Sequence, residues 1–206
     1  MAETRRPVFF SGENPAMSLY LPGTEQLVAV ASYWHCTDSP SGVGHALVLW
    51  QDTAQTPASG IGPGAIFTDN LELAQLLVTN LTQHFPEFAE VPVQTLDYKQ
   101  ANLEHTYNGT TYRVLCQAGP TRIELEWAEV LDRKQIIWKG FPAGETSYDL
   151  TTIICPCRLA HISIDGQATG GEVITVPTAT GQLASTAFLA FAESWVGPLD
   201  AKESGN

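Results

Sequence analysis

Cations are missing from nearly half of this chain. Between Pro7 and Tyr98, 92 consecutive residues contain nine Asp or Glu and no Lys or Arg. Nucleic-acid binding requires cationic side chains at the phosphates, and docking on an anionic membrane requires basic clusters. Since the formal net charge of the 206 residues is −12, we expect neither a nucleic-acid partner nor a membrane partner.

We expect neither a secretory signal peptide nor a membrane-spanning segment. Arg5 and Arg6 are followed by no apolar segment of the kind found in signal peptides, and no apolar run approaches the length of a membrane span. In a chain that stays in the cytoplasm, cysteines are reduced and tend to be buried. We therefore expect a soluble, cytoplasmic protein with free thiols at Cys36, Cys116, Cys155 and Cys157.

The amino-acid composition is typical of a globular protein that is rich in turns. Apolar residues make up 44% of the chain and charged residues 16%, with 17 Gly and 13 Pro. Such a composition favours sheets over helix bundles. We predict a single domain over residues 15–198, with flexible ends at residues 1–14 and 199–206.

The first half of the chain predicts a strand pair, a third strand and a helix. Residues 27–36 form a near-continuous apolar run, residues 45–50 form its partner strand, and residues 65–67 form a short third strand. Leucines then recur at three- and four-residue spacing, which predicts an amphipathic helix with Thr68 or Asp69 as its N-cap.

The middle of the chain predicts an antiparallel meander. Asn108-Gly109 is typical of a type I′ hairpin turn. Pairing outward from this turn sets Glu104 opposite Arg113 on one face, and His105 opposite Tyr112 on the other. The further strands that the alternation predicts are 121–130, 135–138, 148–155 and 159–164.

The C-terminal segment, residues 184–196, fits two structures. Its apolar residues lie on one helical face and Gly197-Pro198 supplies a stop, but the same residues also alternate as a strand would. We favour a helix, which predicts an α+β fold: a curved antiparallel sheet with one internal and one C-terminal helix. This element order is similar to the helix-grip architecture of START-type proteins, in which a sheet wraps a final helix around a cavity. If 184–196 is a strand, a closed β-barrel of lipocalin type is the alternative.

Six side chains are candidates for a ligand-binding site. Apolar pockets with a few polar groups are the usual small-molecule sites. A hairpin between the first two strands brings their histidines to one end of the sheet, and the meander directs a histidine and two aromatic residues inward. The candidates are Trp34, His35, His45, His105, Tyr112 and Trp127.

Cys155, Cys157 and His161 form the one cluster with a metal-like composition. Two cysteines at i and i+2 of a strand share a face, but this is not the spacing of a zinc knuckle, and no second half-site is present. We predict structural thiols and no metal or other cofactor. The function we expect is binding of a small, largely apolar ligand in a cavity between sheet and helix. The alternatives are an enzyme that uses a histidine as general base in the same cavity, and an acidic protein-interaction module.

Overall fold

The computed structural model describes residues 6–57, 59–179 and 183–197. In these residues the chain forms strands, one α-helix and three short 3-10 turns. The first strands are β1 (Val8–Glu13), β2 (Ala16–Tyr20), β3 (Leu27–Asp38), β4 (Gly44–Gln51) and β5 (Gly64–Thr68). Then come α1 (Leu71–Asn80) and the 3-10 turns Thr82–His84, Pro86–Phe88 and Val93–Thr95. The remaining strands are β6 (Tyr98–Gln100), β7 (Asn102–Tyr107), β8 (Thr111–Ala118), β9 (Thr121–Val130), β10 (Lys134–Ala143), β11 (Thr146–Ile164), β12 (Gln167–Ala168), β13 (Thr175–Pro177), β14 (Leu183–Ser185) and β15 (Ala187–Val196).

The architecture is α+β, with one large, mostly antiparallel sheet. Thirteen strands belong to this sheet, whose main path runs β6-β5-β4-β3-β1-β15-β11-β9-β8-β7. The β5–β6 ladder is parallel. The centre of this path joins strands that are distant in the chain, since β1 lies between β3 and β15 and β15 lies beside β11, so the order is not that of a lipocalin meander. None of the helices in the described residues has the length and apolar character needed to cross a membrane.

The two ends of the sheet meet. β6 and β7 lie at opposite ends of the path, yet only Ala101 separates them, and its N–H donates to Thr68 O at 2.9 Å. The sheet therefore curls around an interior that side chains from both halves fill. Leu47 and Phe67 from the first half and Leu125 and Ile162 from the second half belong to this one apolar cluster.

The predicted C-terminal helix is wrong. Ala187–Val196 is strand β15, which pairs with β1 on one side and β11 on the other. In this central position the backbone donors and acceptors find partners on both sides, and Ala187 and Leu189 fill the interior. These long-range contacts outweigh the helix propensity of the alanines. Without a final helix for the sheet to grip, the helix-grip architecture is not confirmed.

The internal helix forms as predicted but begins at a different cap. Asn70 is the N-cap, and its side-chain oxygen accepts the Leu73 N–H at 3.2 Å. Leu73 and Leu77 are fully buried against the outer face of the sheet, in a second cluster that includes Val48 and Trp34. These side chains fill the space between the body of the helix and the sheet. The open groove between sheet and helix lies at the N-terminal end of α1, where Leu71 and Glu72 line it.

The N-terminal segment is part of the sheet. We expected flexible ends at residues 1–14 and 199–206, but Val8–Glu13 forms β1, which pairs with both β3 and β15. This correction applies to residues 8–14, since residues 1–5 and the predicted C-terminal tail lie outside the described residues. Gly12 allows the close approach of β1 to β3, because a Cβ there would lie 1.9 Å from the His35 carbonyl oxygen.

The predicted hairpin forms, but its register is shifted. His105 lies opposite Val114 and Glu104 lies opposite Leu115, two residues beyond the partners that the sequence predicted. The predicted Glu104–Arg113 pair is therefore wrong. Because the shift is an even number of residues, every side chain keeps its predicted face.

The turn explains this shift. Asn108 Oδ1 accepts hydrogen bonds from the N–H groups of Thr110 and Thr111 at 3.0 and 2.8 Å. The Asn108 N–H donates to Thr111 O at 3.3 Å. The tip is therefore Gly109 (φ 92°) and Thr110, whereas an Asn-Gly type I′ turn would place Asn108 and Gly109 there.

Candidate functional site

Three histidines converge where the two ends of the sheet meet. His35 near the end of β3 lies directly opposite His45 near the start of β4. His105 comes from β7, at the far end of the sheet path, and closure of the sheet brings it alongside them. The ring centroids are 4.4 Å apart for His35 and His105, 5.0 Å for His35 and His45, and 6.2 Å for His45 and His105.

The arrangement of their nitrogens suits a metal ion. Each of His35, His45 and His105 offers one ligand atom, and these atoms all lie within 4.8 Å of one another. Among the described residues this is the one such group of three His, Cys, Asp or Glu. Three nitrogens bound tetrahedrally to Zn²⁺ at about 2.0–2.1 Å lie roughly 3.3 Å apart. The three atoms would therefore have to approach one another by at most about 1.5 Å to reach coordination distance.

Two of the rings are held by polar partners. His45 Nδ1 is hydrogen-bonded to Asp69 Oδ2 at 2.6 Å, and Asp69 Oδ1 accepts the backbone N–H of His45 at 2.7 Å. His105 Nδ1 is hydrogen-bonded to the Tyr33 hydroxyl at 3.1 Å. A carboxylate or hydroxyl on one ring nitrogen directs the other nitrogen into the site, as in many metal centres.

Glu13 brings a carboxylate to the same place. It lies opposite His35 in the β1–β3 ladder, and its Oε2 accepts the Tyr112 hydroxyl at 2.6 Å. The same oxygen is 3.9 Å from His35 Nδ1 and 3.8 Å from His105 Nε2. These two distances are too long for hydrogen bonds, so the carboxylate faces the histidines across a narrow gap.

The environment favours neutral imidazoles. Burial, and then the nearby His105 and His45, lower the pKa of His35. Burial also lowers the pKa of His105, although the Glu13 carboxylate partly offsets it. Both rings are therefore neutral at pH 7, the form that binds metals. His35 Nδ1 is buried and, within the described residues, has no hydrogen-bond partner, a costly state for a polar atom.

The two tyrosines of the site keep their protons. Burial, followed by the Glu13 carboxylate, raises the pKa of Tyr33. Burial and the hydrogen bond to Glu13 raise the pKa of Tyr112. Both phenols are therefore neutral: Tyr112 donates its proton to Glu13, and the Tyr33 oxygen is able to accept the Nδ1–H of a neutral His105.

The site is open to solvent. His35 and His45 line a groove of about 920 Å³ together with Asp69. The side chains of His35 and His105 are 27% and 25% exposed. In the part of the chain that the structure describes, neither Lys nor Arg lines this groove, so it suits an uncharged or cationic molecule.

Comparisons with known proteins give distant structural matches. No protein-family model matches the chain, and no curated protein sequence matches it. An acetoacetate decarboxylase from Legionella pneumophila is similar over 97% of this chain and 90% of its own, with 12% identity and a TM-score of 0.42. A second acetoacetate decarboxylase structure is similar over 95% of this chain and 88% of its own, with 11% identity and a TM-score of 0.45. Similarity at this level supports no inference about activity.

Of the six predicted ligand-binding residues, four come together: His35, His45, His105 and Tyr112. The Tyr112 and His105 rings are stacked, with centroids 5.5 Å apart. Trp127 lies behind them, edge-on to Tyr112 at 5.9 Å, and its Nε1 donates to Ala16 O. It supports the site from within the core and does not face it.

Trp34 is not part of the site. Successive side chains of a strand point to opposite faces, so Trp34 faces away from its neighbour His35. Its ring packs edge-on against Phe10 with centroids 4.9 Å apart, and its Nε1 donates to Thr82 Oγ1 at 3.1 Å. The prediction that Trp34 lines the same pocket is therefore wrong.

Three residues of the site were missed by sequence reasoning. Tyr33 could have been found, because it is two residues before His35 on one strand and shares its face. Glu13 belonged to a segment that we expected to be flexible. Asp69 was considered only as a helix cap. No local pattern indicates that either carboxylate reaches the histidines.

The two cysteines and the histidine of the metal-like cluster do not converge. Cys155 and Cys157 are buried in the interior, and Cys157 Sγ donates to the Cys155 carbonyl oxygen at 3.4 Å. Burial raises the pKa of Cys157 to about 12, which disfavours the metal-binding thiolate. Arg158 and Leu159 are both exposed, so the alternation of buried and exposed side chains along β11 shifts by one residue. His161 therefore lies on the outer face, opposite to that of the two cysteines. The four cysteines of the chain are free and buried.

Proposed function

We propose that this protein binds a divalent transition-metal ion through His35, His45 and His105 and uses it to bind a small molecule in the adjacent groove. The observation that carries this proposal is the convergence of the three imidazoles. One of them, His35, keeps a buried nitrogen without a partner among the described residues. A bound metal ion would satisfy that nitrogen.

A structural role for the histidines is less consistent with these contacts. A core histidine normally satisfies both ring nitrogens with hydrogen bonds. Here the partners of His45 and His105 lie behind the rings, at Asp69 and Tyr33, which leaves the opposite nitrogens for the site. Carboxylate–histidine pairs of this kind commonly tune and orient metal ligands.

Three protein ligands also favour a reactive centre over a structural one. Structural zinc sites use four protein ligands, whereas catalytic sites keep a position for water or substrate. Glu13 is placed to act as a fourth ligand or as a base toward a molecule bound at that position, because its carboxylate lies just under 4 Å from two of the rings. Imidazole with carboxylate suits zinc, iron and related ions.

The ligand class follows from the walls of the groove. They combine apolar side chains, Val43 and Leu71, with the carboxylates Asp69 and Glu72. We therefore propose a small, partly apolar molecule that is uncharged or cationic and carries an oxygen or nitrogen able to reach the metal. This keeps the apolar ligand expected from the sequence and places it at the histidines.

Metal analysis tests this proposal. The protein is stripped with a chelator, titrated with Zn²⁺ or Co²⁺, and assayed by elemental analysis and calorimetry. We expect one ion per chain at micromolar affinity or tighter, and loss of this binding in both His35→Ala and His105→Ala. His161→Ala is the matched control and should bind normally, since His161 lies on the outer face.

Two results would contradict the proposal. One is the absence of stoichiometric binding by either metal in the folded wild-type protein. The other is equal metal binding in the wild type and in both site variants. In either case, the metal-free alternative, a histidine acting as general base beside Glu13, would become the better account of the cluster.

A further inference from the structure

A second cavity lies on the other side of the sheet from the histidines. It has a volume of about 170 Å³ and lies between β10, β11, β15 and the 3-10 turn at Pro86–Phe88. Asn14 lines this cavity, whereas its neighbour Glu13 faces the histidines. Adjacent residues point to opposite faces of a strand or its extension, so the two sites are separate.

Aromatic rings form much of the wall of this cavity. Trp195 is T-shaped to Phe141 at 5.1 Å and stacked with Phe85 at 5.9 Å. Trp138 is T-shaped to Phe141 at 5.0 Å. Trp138 is also 50% exposed, which is a large apolar area for a tryptophan to leave in water and marks the entrance to the cavity.

A buried carboxyl group lies among these aromatic rings. Glu193 is 4% exposed and lines the cavity. Its Oε1 accepts the Trp195 Nε1–H at 2.6 Å. Among the described residues that line the cavity there is no Lys, Arg or His, but there is a second acid, Glu87. Burying a charged carboxylate without a neighbouring cation costs free energy. The position of Glu193 therefore calls for an explanation.

A backbone irregularity places this carboxyl group there. Ala192 has φ 48°, a left-handed conformation that is rare for a residue with a side chain. It coincides with a register shift in the β11–β15 ladder. Such a bulge inserts one residue and reverses the alternation. Phe191 packs toward the interior of the sheet, and Glu193 is turned to the outer side with Trp195.

We propose that this cavity binds a small organic cation, of the quaternary or tertiary ammonium class, between the aromatic rings and the carboxylates of Glu193 and Glu87. Aromatic faces attract ammonium groups, and this attraction is strongest in sites from which water is excluded. The volume offers room for about half a dozen heavy atoms if each takes roughly the share of one water, which is enough for the alkylated ammonium head of such a cation.

The same arrangement predicts a pH dependence. Burial raises the pKa of Glu193 to about 7 and also raises the pKa of Glu87, the other titratable group that lines the cavity. Below pH 7 Glu193 is neutral and gives a cation little electrostatic attraction. Above pH 7 it is charged, so affinity for the cation should increase as pH rises from 6 to 8.

Choline and its uncharged isostere, 3,3-dimethylbutan-1-ol, provide the test. Binding of each to the full chain is followed by calorimetry and tryptophan emission at pH 6 and pH 8, after chelator treatment so that the histidine site is empty of metal. At pH 8 we expect choline to bind roughly tenfold more tightly than the isostere. At pH 6 this preference should shrink.

Variants distinguish the contribution of the carboxylate charge to choline binding from the contribution of the shape of the cavity. Glu193→Gln should reduce the preference for choline and remove most of its dependence on pH, while leaving binding of the isostere unaffected. Glu90→Gln, at an exposed carboxylate, is the matched control for net charge. Trp138→Ala should weaken choline binding without removing a buried group, so it remains informative if Glu193→Gln fails to fold. Equal binding of the two compounds to the wild type, no saturable choline binding up to millimolar concentration, or a Trp138→Ala variant that binds choline normally would overturn the proposal.

Discussion

The Tyr112 hydroxyl donates a 2.6 Å hydrogen bond to the Glu13 carboxylate, although 99 residues separate them in the chain. Tyr112 belongs to the meander and Glu13 to the N-terminal strand, which meet only because the sheet closes. This bond holds the carboxylate beside His35 and His105. It therefore connects the fold to the proposed metal site.

Removing this hydroxyl should affect both stability and the site. Tyr112 is 1% exposed, and a buried hydrogen bond to a charged group contributes about 1.5–3 kcal/mol. Tyr112→Phe should lower the free energy of unfolding by about that amount in urea denaturation and should weaken metal binding. Tyr107→Phe, at the exposed end of the same hairpin, is the control. If Tyr112→Phe matches this control in both measurements, Glu13 is not held by Tyr112.

Asp69 should act as a positioning residue for His45. Asp69→Asn keeps the shape of the side chain but removes the negative charge that holds the ring. By analogy with other partners of metal-binding histidines, affinity for Zn²⁺ should fall about 10- to 100-fold. Asp38→Asn, an exposed carboxylate on β3, should leave affinity unchanged. A purely structural Asp69 would change the stability of the metal-free protein without changing the affinity of its folded state.

Glu193 should make stability depend on pH. The pKa of this carboxyl group is about 7 in the folded protein and 4.5 in its ordinary state. The folded state therefore favours the neutral form, and the free energy of unfolding should fall as pH rises from about 4.5 to 7. The difference from Glu193→Gln should reach about 3 kcal/mol by pH 8. Urea denaturation of both proteins across this range measures it, and parallel pH profiles would contradict the assignment.

The partner of Arg113 is Glu126. Its Nε lies 2.7 Å from Glu126 Oε2, across the β8–β9 ladder. Since the Arg113 side chain is 67% exposed, a double-mutant cycle should give a coupling of only about 0.2–1 kcal/mol, weakened by salt. The same cycle with Glu104 should give no coupling. A larger coupling to Glu104 would indicate the hairpin register first predicted from the sequence.

Cys157 should contribute to stability and not to metal binding. Its thiol is fully buried among apolar side chains. Cys157→Ser places a hydroxyl there and should cost about 1–3 kcal/mol of unfolding free energy. The metal content of the protein should be unchanged, because the histidines of the proposed site are intact. Loss of one metal ion per chain in this variant would instead assign a metal to the cysteine cluster.

Much of the local structure could be predicted from the sequence. The period-two alternation around Ile123, Leu125 and Trp127 identified inward-facing residues, all of which are buried. Leucine spacing identified the helix. The predicted hairpin of residues 27–36 and 45–50, which are β3 and β4 in the structure, placed His35 and His45 at one end of the sheet. The two residues are direct partners. These properties depend on contacts between residues that are near each other in the chain.

Other features were decided by the tertiary structure. Residues 187–196 are compatible with a helix or a strand, and the open position between β1 and β11 makes them a strand. Glu13 reaches the histidines because β1 inserts beside β3, and His105 reaches them because the ends of the sheet meet. The bulge at Ala192 turns Glu193 into the second cavity.

The sequence alone therefore determined which side chains of the regular meander strands face inward, and excluded cationic surfaces from the first half of the chain. It did not determine which strands become neighbours. Alternation specifies the face of each strand from the chemistry of its own residues, whereas strand order depends on pairing between distant segments. Both candidate sites are assembled from such segments, and for that reason only the folded chain brings their residues together.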